Sequence, residues 1–339
     1  MPLTEQEEKI LKSIVVASDN DPRHPEFPPG NPQFPATPTY QIEVPGFSNV
    51  WLKDESKNPT GTHKDRMAWE IVVTYRDILL AKKDKENNES LPAMSMVSSG
   101  SAAIAIQAML NTYQLPALRV LVDVNIDSKI IDALVEVGCE VFRTDLNYRA
   151  YTWRDILKLT NNPNGIDITS NQALDPNTRF YDWLSYEVID NSPDYCFIPF
   201  GTGTLYVNIM NVNKREISAE TPDPRFRGNI NTLRHCNFMG ATTSDPRSLA
   251  VKLYSPHLPF VAFDEPWLRM YKTAGFCGPQ SEVLVFQEEF LLKAIKILED
   301  QEINCEPSGA AGLALMLQTT GQLPKDKKML IVNTGKTKY

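Results

Sequence analysis

The spacing of apolar positions changes along the chain, and the changes mark its elements. The stretch "THKDRMAWEIVVTYRDILLAKK", residues 62–83, places Met67, Ile71 and Val72 on one side at helical spacing and predicts a helix. Ahead of it, "NVWLKDE" reads as a strand. From residue 93 the pattern alternates: strand "AMSMVSS", helix "SAAIAIQAMLNTYQL", strand "LRVLVDVN", helix "DSKIIDALVEVG", strand "CEVFRTD". Such alternation predicts a mostly parallel sheet with crossover helices. A second series starts at "DYCFIPF", which runs straight into "GTGTLYVNIMN". It ends with helix "QEEFLLKAIKILEDQ", the segment "CEPSGAAGLALMLQ" and strand "KKMLIVNTG". Residues 22–45 are dense in proline, which fixes φ and removes donors, and they are expected to be extended and irregular. "KKDKENNESLP" reads as a charged surface loop, and residues 211–280 carry no pattern that selects elements.

Composition narrows the function classes. The 339 residues exceed the usual single core, so two lobes are expected. A net charge of −8 without a basic run argues against nucleic acid and points to small molecules or further copies of the chain as partners. Cys139, Cys196, Cys236, Cys277 and Cys305 are scattered, without a Cys-x-x-Cys pair, which fits a reduced, cytoplasmic setting. The first residues form an acidic amphipathic pattern, so neither a signal peptide nor a membrane span is expected. The histidines and cysteines do not fall at zinc-ligand spacings, and no metal is expected.

Three short stretches could carry chemistry. In "PFGTGTL", residues 199–205, a strand runs into small residues and a helix start, where free N–H groups can cradle a phosphate. A tight turn without ligand has the same composition. "SSGSAA", residues 98–103, offers hydroxyls and N–H groups to a carboxylate, and equally reads as a helix N-cap by Ser99 or Ser101. Lys64, between His63 and Asp65, is in most settings a solvated helix charge. Desolvated, its amine can form a Schiff base with an aldehyde cofactor. Ligands of α/β folds collect at the carboxyl ends of strands, so these three stretches together match what pyridoxal phosphate and an amino acid require.

The segment "KDESKNPTGTHKDR" resembles the lysine segment of the fold type II pyridoxal-phosphate enzymes, the group of threonine synthase, cysteine synthase, serine/threonine dehydratase and the tryptophan synthase β subunit. "SSGSAAIA" is similar to their substrate-carboxylate loop, "GTGTL" to their phosphate loop and "EPSGAAGLA" to their late helix start, in the same order. The resemblance implies an α/β protein of two domains, with mostly parallel sheets flanked by helices and the cofactor between the lobes. Residues 40–170 would form the smaller lobe, with 92–150 closing over substrate, and residues 1–39 and 171–339 the larger.

The resemblance also implies pyridoxal 5'-phosphate as cofactor and Lys64 as its anchor through an internal aldimine, the same amine later moving the Cα proton. Gly201, Thr202, Gly203 and Thr204 are implied to hold the phosphate, and Ser98, Ser99 and Gly100 the substrate carboxylate. A hydroxyl is implied opposite the pyridine nitrogen, from Thr334 in "VNTGK", as in threonine synthase, or from Ser308 in "EPSGA". Two positions depart from the pattern. Ser101 stands where the family has an asparagine on the cofactor's phenolic oxygen, and it offers one donor from a shorter side chain. His63 replaces phenylalanine or valine, as in the tryptophan synthase β subunit, where the histidine sits by the phosphate. The activity implied is that of a lyase or synthase on a small amino acid, by threonine synthase-like elimination and replacement. β-Replacement or serine/threonine dehydration is the alternative, and a scaffold of weakened catalysis in a binding or regulatory role is a reading of another class. A homodimer is expected from the resemblance.

Overall fold

The computed structural model describes residues 36–83, 92–112, 114–169, 180–224, 226–254 and 265–336. Their strands are β1 (Thr39–Val44), β2 (Phe47–Asp54), β3 (Met94–Val97), β4 (Arg119–Asp123), β5 (Glu140–Thr144), β6 (Ile166–Asp167), β7 (Tyr195–Pro199), β8 (Asn237–Thr242), β9 (Glu282–Val285) and β10 (Met329–Asn333). Their helices are α1 (Lys64–Lys83), α2 (Ser101–Thr112), α3 (Ser128–Val137), α4 (Trp153–Leu159), α5 (Asp182–Ile189), α6 (Thr204–Ser218), α7 (Ile230–Leu233), α8 (Glu265–Thr273), α9 (Glu288–Asp300) and α10 (Pro307–Gln318). A six-stranded sheet has the order β1-β2-β10-β7-β8-β9, parallel except for the β1–β2 hairpin. A four-stranded parallel sheet has the order β5-β4-β3-β6.

Burial explains why the central strands read as continuous apolar runs. Along β7 and β10, Cys196, Ile198, Leu330 and Val332 enter one core, which also takes α1, α2 and the four-stranded sheet. Their neighbours Tyr195, Phe197, Met329 and Ile331 enter a second core under α9 and α10. A parallel sheet covered on both faces leaves no polar alternation to see. The apolar side expected of the lysine helix is the side that packs, with Met67, Ile71 and Val72 all in the first core.

Residues 40–54, expected in the smaller lobe, lie in the β1–β2 hairpin. β2 pairs in parallel with β10, Val50 opposite Met329 through Asp54 opposite Asn333, so this hairpin belongs to the six-stranded sheet. Local sequence carries no sign of this partner. Part of the proline-rich stretch is also regular, because Pro38 and Pro45 flank β1 instead of interrupting its ladder. Residues 22–35 of that stretch, the amphipathic start and residues 84–91 of the charged loop lie outside the described residues. Among the described residues, no helix is long and apolar enough to cross a membrane.

Candidate active site

β2, β10 and β7 are parallel neighbours, so their carboxyl ends meet at one edge of the six-stranded sheet. The lysine segment follows β2, Thr334 follows β10, and Gly201–Thr204 follows β7.

The lysine segment is folded by its own polar residues. Asp65, in the first turn of α1, accepts from the Thr60 amide at 2.8 Å and the Thr60 hydroxyl at 2.5 Å, closing the Pro–Thr–Gly turn. An acid in a first helical turn also suits the helix dipole. Arg66 turns back and binds Glu55 through Nε and Nη2, each at 2.9 Å, and its Nη1 reaches Glu187 of α5 at 2.5 Å. Lys64 is left pointing the other way, its Nζ 3.1 Å from the hydroxyl of Tyr181.

The C-terminal tail clasps this loop. The Lys336 amide donates to the Gly61 carbonyl at 2.9 Å, and the Thr334 carbonyl accepts from the His63 amide at 3.0 Å and the Thr62 hydroxyl at 3.1 Å. His63 Nδ1 lies 3.0 Å from the same carbonyl, which can only accept, so Nδ1 carries the proton. Burial and the neighbouring Lys64 amine push the His63 ring down to about 3 and keep it neutral. Thr334 is buried, and so is Ser308 in the first turn of α10. The Glu306 amide donates to the Gly335 carbonyl at 2.8 Å, which brings the two candidate hydroxyl residues to the same strand end.

The glycine-rich turn has the features a phosphate needs. α6 starts at Gly203 with no side-chain cap, so its first N–H groups remain for a ligand, and the Thr202 and Thr204 hydroxyls stand 3.2 Å apart beside them. A side chain at Gly201 would begin 3.3 Å from the Lys252 carbonyl, so the backbones approach closely there. This donor set, with a lysine amine on the same sheet edge, fits pyridoxal phosphate. Gly203 has φ +82°, and Gly203→Ala is expected to strain the turn by about 1 kcal/mol. Cofactor affinity should fall roughly fivefold, read by titrating the visible absorption band; unchanged affinity would mean that this turn does not hold the phosphate.

Ser98, Ser99 and Gly100 follow β3 in the other sheet, where the Gly100 amide donates to the Ser98 hydroxyl at 3.1 Å. Ser101 opens α2, which packs against α1, so the helix pair links this loop to the lysine segment. Two residues near the site had no sequence signal. Tyr181 lies in a stretch without a recognisable motif, and Lys252 in the unread region 211–280. Lys252 Nζ is 2.6 Å from the carboxylate of Glu306, the residue directly before α10.

The family model described as pyridoxal-phosphate-dependent enzyme matches residues 33–335. The chain is 23% identical over 343 residues to threonine synthase from a Synechocystis species, covering 96% of this chain and 81% of that one. Among solved structures, a pyridoxal 5'-phosphate-dependent aspartate racemase is similar at 15% identity and TM-score 0.64, covering 97% of this chain and 96% of that one. Threonine deaminase isoform 2 from Solanum lycopersicum is similar at 15% identity and TM-score 0.58, covering 99% and 90%. These two likenesses concern the fold. The family match takes in the phosphate-type turn, the lysine segment and the Thr334–Gly335 strand end bound to that segment, and on that basis the chain belongs to the pyridoxal-phosphate-dependent enzymes and takes pyridoxal 5'-phosphate as its cofactor.

Proposed function

We propose that this enzyme carries out elimination or replacement at the side chain of a small amino acid, in the manner of threonine synthase. The observation that carries the reading is the clasp: the tail that binds the lysine loop begins with Thr334, directly after β10, so the residue offered at that strand end bears a hydroxyl. The near full-length similarity to threonine synthase supports it.

Each residue then has a task. The first N–H groups of α6, with Thr202 and Thr204, bind the phosphate; Ser98, Ser99 and Gly100 bind the substrate carboxylate. Lys64 would hold the cofactor at its aldehyde carbon, and its free amine would take and return the Cα proton. Bound there, the cofactor serves as the electron sink that makes this proton acidic. Neutral His63 adds no charge beside Lys64. Residues 92–150 close over the substrate and keep out water.

The test is incubation with O-phospho-L-homoserine, measuring phosphate and threonine. Release of both is the expected result. Turnover of another amino acid without phosphate release would overturn the substrate, and pyruvate or 2-oxobutanoate as product would select dehydration.

A further inference from the structure

The reading above gives no task to the hydroxyl that Lys64 meets. Tyr181 is 1% exposed, and its Oη accepts from Lys64 Nζ at 3.1 Å while donating to Met67 Sδ at 3.6 Å. The amine lies 5.7 Å from the centroid of the same ring, within cation–π reach, and the His63 ring packs on it at 5.4 Å.

The place of this ring is set from two sides. Tyr181 stands immediately before α5, and its carbonyl accepts from the Ser185 amide at 2.8 Å and the Ser185 hydroxyl at 2.7 Å. Asn208 of α6 donates to Asp182 at 3.0 Å and to Ser185 at 2.9 Å, and Arg215 of α6 reaches Asp182 at 2.8 Å. Further along α5, Glu187 receives Arg66 from the first turn of α1. α5 is therefore tied both to the helix that starts at the phosphate-type turn and to the helix that starts with Lys64.

We propose that Tyr181 is a positioning residue for Lys64, holding the amine whenever it is free: before the cofactor is captured, and again after a substrate amine has displaced it. The proposal rests on Lys64 being the cofactor anchor. In capture, C=N replaces the aldehyde C=O, and the oxygen leaves as water with both amine hydrogens. In displacement, one C=N is exchanged for another, and two hydrogens pass from the substrate nitrogen to the Lys64 nitrogen. A free lysine side chain spreads over many rotamers, so a hydrogen bond that confines it raises the fraction placed to react.

The experiment is stopped-flow capture of pyridoxal phosphate by the full chain freed of cofactor, followed at the visible band, for the parent, Tyr181→Phe and Lys64→Ala. Phenylalanine keeps the ring against His63 and removes only the hydroxyl. The capture rate should fall about tenfold in Tyr181→Phe, with final amplitude and thermal midpoint unchanged, a split that a merely structural role does not give. A rate equal to or above the parent's overturns the proposal. If Lys64→Ala still forms the band, the anchor reading has failed and this proposal with it. If Lys64→Ala forms none while Tyr181→Phe captures at the parental rate, only the positioning role has failed. Should Tyr181→Phe not fold, Met67→Leu removes the sulfur that fixes the hydroxyl. It should slow capture about threefold, and a parental rate there is equally decisive against the proposal.

Discussion

Lys64→Ala is expected to abolish covalent attachment of the cofactor and to lower turnover by about a thousandfold, the scale of losing a positioned proton-transfer group. The fold should survive. Lys64 is partly exposed at the first position of α1, its amine meets Tyr181 and not the buried ion network, and alanine is a good helix former. Borohydride trapping followed by mass spectrometry of the parent and the variant gives the attachment, and a thermal melt controls for folding. A reducible band that persists in Lys64→Ala would move the anchor to another amine. Lys252, held by Glu306 beside the phosphate-type turn, would be the first to replace.

Arg66→Ala is expected to have the largest effect on stability, roughly 3–5 kcal/mol, because it leaves buried acid without its partner. For a protein of 339 residues that corresponds to a fall in Tm of roughly 4–7 °C. Glu55 is fully buried, bound by Arg66 and Thr37 and close to Lys53, which itself binds Glu187. Burial alone would raise the Glu55 carboxyl, but Arg66 and Lys53 outweigh it and bring the group from 4.5 to about 2. The sign follows from proton counting. Between those values the unfolded chain binds more protons than the folded one, so the contribution of this carboxylate is complete above about pH 4.5 and drains away as pH falls toward 2. Glu55→Gln should be less stable at pH 7 and should lack that part of the acid slope. Parallel slopes in chemical denaturation of the two proteins between pH 5 and 2 would contradict the assignment.

The residues divide clearly in what could be read in advance. α1 was legible because Met67, Ile71 and Val72 repeat at the helical period, and the same face packs in the structure. The lysine segment, the two small-residue turns and the tail stood out as motifs only together, since each alone also reads as a turn, a helix cap or a surface charge and it is their order that resembles the family. β8, "NFMGAT", was not legible: it is short, almost wholly buried and set in the proline-rich region 211–280, so neither alternation nor helical spacing marks it. Tyr181 was equally hidden, because the amine it meets lies 117 residues earlier in the chain.

What the sequence by itself determined is therefore local: where strands and helices run, and which short segments carry an amine, phosphate-type donors and hydroxyls. Periodicity and turn chemistry act over a few residues and leave their mark in the order of side chains. Only the tertiary structure decided that β2 lies beside β10, that the tail clasps the lysine loop, and that Tyr181 faces Lys64. Asp54 and Asn333 meet across 279 residues through a buried hydrogen bond of 2.9 Å. Such contacts follow from burying two apolar faces together, a property of the whole chain that no short segment contains.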